Sequence, residues 1–206
     1  MNVPRTQTIE LQDGDALVIV DVQNDFLPGG ALAVKDGDQV VPVLNTYIDI
    51  FLTKGLPIIA TRDWHPVNHC SFKDQGGPWP PHCIANSHGA RFAAELRLPP
   101  DTTVISKAAA PDKDAYSGFE GTELEAVLRS LGARRVFIGG LATDYCVLNT
   151  VKDALENRYQ VYVMIDSIRA VNVQSDDGRK AEQEMIARGA IMITVDDLTT
   201  APVYQI

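Results

Sequence analysis

The sequence is poor in several features that would assign it to a class of protein at once. It holds three cysteines, an odd and sparse set that suits a reducing compartment better than a disulfide framework. No apolar run approaches the roughly 20 residues that a membrane-spanning helix needs. The first ten residues, MNVPRTQTIE, contain no apolar stretch of the signal-peptide type. We therefore expect a cytoplasmic protein with no membrane partner.

Positive charge is also scarce. Lysine and arginine number 18 against 27 aspartates and glutamates, which gives a net charge of −9. Such a surface repels phosphate backbones, so a nucleic-acid partner is not expected. The chain shows no internal repeat or low-complexity tract, and its 206 residues with 45% apolar composition suit one α/β domain with a sizeable core. We predict a single domain over residues 1–206.

Short apolar runs alternate along the chain with longer amphipathic stretches. The runs are nearly continuous in apolar or β-branched residues, as in parallel strands covered on both faces, and cover residues 16–21, 57–63, 103–107, 135–140, 160–166 and 190–195. The intervening patterns predict helices at residues 38–54, 88–97, 121–132, 144–158 and 177–188. Gly55, Gly132 and Gly189 fall where helix C-terminal caps are expected. This rhythm predicts an α/β fold, with an open parallel sheet of about six strands and helices on both faces.

Polar residues follow several of the predicted strands at the point where each strand ends. Asp21, Asp63, Lys107, Asp166 and the turn at residues 139–146 all have this position. The carboxyl ends of parallel strands meet at one edge of an open sheet, and ligands bind at that edge. The pattern therefore favours an active site there.

Cys146 lies just after a glycine-rich bend and at the start of a predicted helix. Thr143 or Asp144 would cap this helix, and its dipole would lower the pKa of the thiol, which makes Cys146 a candidate nucleophile. Asp21 could take the thiol proton, and Lys107 could hold the acid and the thiol in their charged forms. The alternatives are a cysteine packed in the core and a structural salt bridge at the sheet edge.

The segment after the second predicted strand carries a group of possible metal ligands. Asp63 and His65 share one side of an extended chain, and His82 follows in a long loop at residues 64–87. Together they form a plausible mixed oxygen and nitrogen site. Three further residues compete as ligands: His69, Cys70 and Cys83. A closed zinc site built on the two cysteines is one alternative, and a loop of hydrogen-bonded histidines is another.

Taken together, these motifs resemble the nicotinamidase and pyrazinamidase branch of the isochorismatase-like cysteine hydrolases. The motifs that carry the resemblance are DVQNDFLPGGALAV (21–34), RDWHPVNHCSF (62–72), WPPHC (79–83), SK (106–107), DAYSGFEGTEL (114–124) and GLATDYCV (140–147). The resemblance runs from about the first predicted strand to the last. It implies a Rossmann-like three-layer sandwich.

The resemblance also implies roles for single residues. Asp21, Lys107 and Cys146 resemble the catalytic triad of the family. Asp63, His65 and His82 resemble its ligands for one divalent transition metal, with zinc expected first and iron or manganese as alternatives. His69 sits where some members have a further histidine near the metal.

The remaining implied roles concern the substrate. The family has a cis peptide before the alanine of its GLATDYC motif, here Leu141–Ala142. The amides of Ala142 and Cys146 would form the oxyanion hole. Four side chains resemble the walls that enclose the pyridine ring: Phe26, Leu32, Trp79 and Tyr116. Packing in the core is the alternative for these four, strongest for Leu32.

The activity that the resemblance implies is hydrolysis of nicotinamide, and of pyrazinamide, to nicotinate and ammonia through a cysteine thioester, in NAD salvage. One alternative is a related cysteine amidase, or an isochorismatase-type hydrolase, with another substrate. Another is a module that binds a metal or nicotinamide without catalysis. The sequence leaves open whether the chain forms a homo-oligomer.

Overall fold

The computed structural model describes residues 8–198. Its centre is a sheet of six parallel strands in the order β3-β2-β1-β4-β5-β6. The strands are β1 (Asp15–Val20), β2 (Ile58–Asp63), β3 (Thr103–Lys107), β4 (Arg135–Leu141), β5 (Gln160–Arg169) and β6 (Ile191–Ile193). All six predicted strands are thus present. Most of the residues used for the signal-peptide prediction, and both ends of the predicted domain, lie outside the described residues.

Helices cover both faces of the sheet. They are α1 (Val40–Thr53), α2 (Leu124–Ser130), α3 (Leu148–Glu156) and α4 (Asp177–Ala187). Helix α1 packs on one face, while α2, α3 and α4 contribute to the apolar core on the other face. Every residue of β1 is buried because side chains on both faces of the sheet are covered. The predicted layered arrangement is therefore confirmed. None of the helices in the described part of the chain is long and apolar enough to cross a membrane.

Helix α1 shows how the sequence pattern produces an element. Its buried side chains recur every three or four positions, which forms one apolar stripe: Val40, Val41, Leu44, Tyr47, Ile48 and Phe51. Pro42 lies in the first turn, where its missing N–H group disrupts no helical hydrogen bond. Gly55 follows the helix with a φ of +65°, a left-handed conformation that glycine adopts without steric cost.

The helix predicted over residues 88–97 does not exist. This segment runs irregularly because another part of the chain takes its backbone hydrogen bonds. Arg91 and Gly89 carbonyls accept from the N–H groups of Asn24 and Asp25, and the Ala93 N–H donates to the carbonyl of Val22. These bonds replace the helical ones, so residues 22–25 decide the local structure.

The strand order fixes where distant residues meet. The chain runs outward from β1 through β2 to β3 and then returns to add β4 on the other side of β1. The connection after β1 therefore leads to one side of the sheet, toward β2, and the connection after β4 leads to the other side, toward β5. A crevice opens at such a switch point, beyond the carboxyl ends of the strands. Asp21 follows β1 at this point, and the turn that bears Cys146 follows β4.

Candidate active site

Four strands deliver polar side chains to this crevice. Asp21 follows β1, Asp63 ends β2, Lys107 ends β3, and Cys146 lies in the turn after β4. Both carboxylates, the ammonium group and the thiol are buried. The structure places these four residues together at one edge of the sheet.

Lys107 is the centre of the cluster. Its Nζ lies 2.5 Å from Asp63 Oδ1 and 3.0 Å from Asp21 Oδ2. It also donates to the Ala115 carbonyl at 3.2 Å and contacts Cys146 Sγ at 3.4 Å. Burial by itself would lower the pKa of Lys107, but the two carboxylates outweigh it and raise that pKa well above its usual value. Lys107 is therefore a permanent cation that balances the buried acids.

The surroundings of Cys146 differ from the sequence prediction. Residues 143–147 form a π-helical turn that begins after Ala142, and no side chain in the described part of the chain caps it. The carboxylate of Asp144 instead accepts from the N–H groups of Val171 and Asn172. Burial raises the pKa of the Cys146 thiol well above its usual value, although Lys107 opposes the shift. The prediction that a capped helix start lowers the pKa of the Cys146 thiol is thus wrong. The thiol therefore needs a base to form a thiolate.

Asp21 is the base within reach. The ligand atoms of Asp21, Asp63 and Cys146 all lie within 4.8 Å of one another. Thr61 Oγ1 donates to Asp21 Oδ1 at 2.6 Å, which orients the carboxylate and leaves Oδ2 toward Lys107. Burial raises the pKa of Asp21, so this acid holds a proton more readily than an exposed aspartate. A carboxyl group of this kind suits both acceptance and return of a proton.

Asp63, His65 and His82 offer ligand atoms to one point. These atoms lie within 4.8 Å of one another, and all three residues are buried. The Nδ1–H of His65 donates to the Ala108 carbonyl at 3.2 Å, and that of His82 donates to the Pro80 carbonyl at 2.8 Å. Each bond leaves Nε2 with a free lone pair, as metal-binding histidines require.

Two further observations fit a metal. His65 Nε2 is buried without a hydrogen-bond partner in the described part of the chain. A buried polar atom of this kind needs a partner, and a cation would supply one. Burial lowers the pKa of His82, which favours the neutral, ligating form of the ring.

The three other candidate ligands, His69, Cys70 and Cys83, do not converge on this point. His69 uses both ring nitrogens, Nδ1 with Ser71 Oγ at 2.7 Å and Nε2 with the Lys113 carbonyl at 3.0 Å. Cys83 is fully buried in the apolar core, and Cys70 is half-buried. Among the described residues, neither cysteine belongs to a group of converging ligand atoms. The geometry favours the mixed site over the closed cysteine site.

One cavity connects the thiol with the histidines. Cys146, Asp63, His65 and His82 line it. The four predicted ring-binding residues line it as well: Phe26, Leu32, Trp79 and Tyr116. The Trp79 indole donates to the Tyr116 hydroxyl at 2.9 Å, so these two walls hold each other in place. Ala142 lines the same cavity, and its peptide with Leu141 is cis, as the resemblance implied.

The sequence model of the isochorismatase domain matches residues 15–197. The chain belongs to the isochorismatase family. Among curated relatives, the nicotinamidase of Escherichia coli is 41% identical over 88% of this chain and 95% of its own length. The nicotinamidase/pyrazinamidase of Mycobacterium tuberculosis is 36% identical over 83% of this chain and 97% of its own length.

Two solved structures are similar to this chain in both fold and sequence. The pyrazinamidase of Pyrococcus horikoshii, solved in complex with zinc, superposes with a TM-score of 0.85 at 49% identity, over 88% of this chain and 99% of its own. The PnC1 protein of L. infantum, solved in complex with nicotinate, reaches the same TM-score at 35% identity, over 94% and 99% of the two chains. The fold predicted from the sequence is confirmed.

The sequence prediction missed or misplaced some residues of this isochorismatase-family site. Asp166 was predicted at a strand end, but β5 continues past it, and its carboxylate accepts from Tyr47 and Val195 away from the cavity. Thr61, which orients Asp21, was not predicted. Tyr145 lines the cavity and packs edge-on against Trp79. Its place next to Cys146 in the GLATDYC motif was the only available signal.

Proposed function

We propose that this chain is a nicotinamidase, which hydrolyses the carboxamide of nicotinamide, and of pyrazinamide, to the carboxylate and ammonia. One observation carries the proposal. A single cavity is lined both by a buried thiol with an acid and a lysine behind it and by a carboxylate and two histidines with free lone pairs. The curated relatives at 36–41% identity support the substrate class.

Asp63, His65 and His82 would hold one divalent transition metal, and we propose zinc. The donor set of one carboxylate and two imidazoles suits that ion, and the pyrazinamidase of P. horikoshii was solved with zinc. When bound, the metal supplies a Lewis acid for the ring nitrogen of the substrate. The residues described next carry the chemistry of the amide bond.

Asp21 and Cys146 perform the first half of the reaction. The thiol proton passes to Asp21 Oδ2 as Cys146 Sγ attacks the carboxamide carbon. The raised pKa of Asp21 makes it a ready acceptor and then a ready donor. The amides of Ala142 and Cys146 are proposed to hold the oxyanion. Asp21 then protonates the amide nitrogen, the C–N bond breaks, ammonia leaves, and a thioester remains on Cys146.

The second half reverses the role of the acid. Water attacks the thioester carbon, and Asp21 takes one of its protons. The C–S bond breaks, and the proton returns to Cys146 Sγ as the carboxylic acid leaves. Lys107 remains charged throughout because Asp21 and Asp63 both stabilise its ammonium form. Its charge limits the cost of a thiolate in this buried site.

The walls of the cavity suit a flat aromatic ring. Phe26, Trp79 and Tyr116 supply aromatic faces and edges, and Leu32 adds an apolar side. Such walls bind a pyridine ring and a benzene ring about equally. They cannot select nicotinamide over benzamide by themselves, so selection depends on the group that contacts the ring nitrogen.

Ammonia release from nicotinamide by the purified chain tests the proposal. The native chain is expected to release ammonia, and Cys146→Ala is expected to release none while it retains the native circular dichroism spectrum. Cys70→Ser is the matched control, because that half-buried thiol lies outside the lining of the cavity and should not affect the rate. Full activity of Cys146→Ala would eliminate the thioester mechanism.

Two more arms of the same assay test the substrate and the metal. Benzamide should be hydrolysed at least about tenfold less efficiently than nicotinamide, because a metal left without the ring nitrogen loses roughly 1–3 kcal/mol of interaction. His82→Ala should lose much of this preference and leaves the partners of Lys107 in place. Equal rates on both amides in the native chain would favour an amidase of another substrate. An inactive native chain that still binds zinc and nicotinamide would favour the non-catalytic module.

A further inference from the structure

Gln23 holds the backbone of Asp63 at two points. Its Oε1 accepts from the Asp63 N–H at 2.8 Å, and its Nε2 donates to the Asp63 carbonyl at 2.8 Å. The same Nε2 donates to the Ala90 carbonyl at 3.0 Å. The side chain is fully buried. A single amide therefore fixes the backbone N–H and the backbone carbonyl of Asp63, the last residue of β2, and its bond to Ala90 anchors it to residues 88–93.

Asp25, two residues further on, holds the second ligand-bearing segment. Its Oδ2 accepts from the Cys83 N–H at 2.7 Å, directly after His82. Its Oδ1 accepts from the Ala31 N–H at 3.2 Å. Gly89 packs so closely that a Cβ there would lie 2.0 Å from Asp25 Oδ2. Cys83 itself has a φ of +45°, a conformation that needs support from its surroundings.

We propose that Gln23 and Asp25 form a brace that sets the spacing of Asp63 and His82 for the metal without touching it. Both residues are positioning residues, and the inference rests on the metal site of the proposed function. Neither belongs to the lining of the cavity. The backbone hydrogen bonds between residues 22–25 and residues 88–93 fit this role, because they hold the brace in place. The brace in turn connects the segments that carry Asp63 and His82 to residues 22–25.

Zinc affinity of the full chain separates a brace from a residue that merely stabilises the fold. The metal is removed with a chelator, and the dissociation constant for zinc is measured by competition with a chromophoric chelator. Gln23→Met keeps the side-chain volume but removes all three hydrogen bonds. It is expected to raise the zinc dissociation constant about 10- to 100-fold, the usual effect of losing a partner that orients a metal ligand.

Asn45 provides a matched control. It is another buried amide that clamps a backbone, since it donates to the Glu95 carbonyl at 2.9 Å and accepts from the Arg97 N–H at 2.8 Å. It lies in α1, away from the ligands. Asn45→Leu is expected to lower the melting temperature, as Gln23→Met does, but to leave zinc affinity within about twofold to threefold of native, because no ligand-orienting bond is lost. Equal zinc affinity of Gln23→Met and Asn45→Leu would overturn the brace.

Gln23→Asn decides the matter if Gln23→Met does not fold. It keeps a neutral amide with a donor and an acceptor, but its side chain is one methylene shorter and cannot reach the Asp63 N–H, the Asp63 carbonyl and the Ala90 carbonyl together. The brace predicts weaker zinc binding in this variant, whereas an amide that only fills the buried space predicts native affinity. Native or tighter zinc affinity in Gln23→Asn would overturn the brace.

The brace and the proposed function fail in different ways. Nicotinamide hydrolysis by the native chain is measured alongside zinc binding. If the native chain binds zinc but releases no ammonia, and Gln23→Met loses zinc, the function is wrong and the brace holds. If the native chain is active and Gln23→Met binds zinc normally, the brace is wrong and the function holds. A native chain that binds no zinc overturns the brace outright.

Discussion

Lys107 brings one positive charge into a site that contains two carboxylates and a thiol. Burial would make each carboxylate costly, and Lys107 lowers the pKa of both Asp21 and Asp63. For Asp63 this influence, together with the contacts from His65, outweighs burial, so its pKa lies below the usual value. For Asp21 burial wins. The same lysine therefore serves two acids of different strength, one kept ionised and one suited to proton transfer.

Removal of this charge should destabilise the fold in a pH-dependent way. Lys107→Met leaves two buried carboxylates without a counter-charge, which costs about 3–5 kcal/mol at pH 7. Without Lys107 the folded pKa values of both acids are expected to lie above the unfolded value of 3.8, because burial raises the pKa of each. A raised folded pKa gives stability at low pH that is lost as the pH rises through it. The difference in unfolding free energy between native and variant should therefore shrink as the pH falls from 7 toward 4.

Urea unfolding of the metal-free chains at several pH values measures this difference. Lys152→Met is the matched control, because Lys152 is partly exposed and lies 3.8 Å from Glu184. A surface pair of this kind is worth less than about 1 kcal/mol. A Lys107→Met deficit that stayed constant with pH would contradict the charge-balance account.

At the scale of elements, strand ends and glycine bends decide where the side chains meet. Gly140, the last position before Leu141 in β4, has a φ of +121°. A Cβ there would lie 2.1 Å from the Val20 carbonyl oxygen on neighbouring β1. Only glycine fits, and this close approach lets β1 and β4 deliver Asp21 and Cys146 to the same crevice.

Gly140→Ala should therefore cost far more than an ordinary glycine replacement. The left-handed backbone costs roughly 1–2 kcal/mol, and the clash with backbone adds about 1–3 kcal/mol. Gly132→Ala isolates the first effect, because Gly132 has a φ of +67° and no atom of the described residues lies within 4 Å of its Cβ position. Unfolding free energies of both variants measure the gap between them. Equal losses would show that the contact with Val20 relaxes freely.

The sequence was informative about elements that have a local burial pattern. All six strands and four of the five predicted helices are present, because the strands are nearly continuous apolar runs and the helices carry an apolar stripe. The helix at residues 88–97 failed because its backbone groups bond to residues 22–25, a pairing across more than 60 positions that no local pattern reveals. The turn at Cys146 failed similarly: Asp144 was a reasonable cap, but it bonds to the N–H groups of Val171 and Asn172.

At the scale of the whole molecule, the site is assembled from segments far apart in the chain. Asp21 and Cys146 meet only because β4 lies beside β1 in the sheet, although β2 and β3 separate the two strands in the chain. The family motifs predicted which residues meet, whereas their distances, their tautomers and the Gln23 brace required the folded chain. The metal ligands likewise come from the end of β2 and from the loop at residues 64–87, so a bound cation would link a strand to a loop.

Zinc should accordingly raise the thermal stability of the whole chain. A ligand that binds only the folded state at 100 times its dissociation constant adds about 2.7 kcal/mol. In a domain of this size that corresponds to a rise in melting temperature of roughly 5–10 °C. Differential scanning calorimetry of the metal-free chain with and without added zinc measures the rise, and elemental analysis of the native chain should find about one transition metal per molecule.

Three variants assign the rise to particular residues. His82→Ala should abolish it, because one of three ligands is lost. His88→Ala should keep it, since His88 is exposed and, among residues 8–198, only its backbone carbonyl is used, in bonds from Asn24 and Arg91. The double variant Cys70→Ser with Cys83→Ser should also keep the rise, even if its melting temperature without metal is lower. If zinc still raised the melting temperature of His82→Ala but not that of the double cysteine variant, the metal would bind at a cysteine site. His65 Nε2 would then be left without a partner.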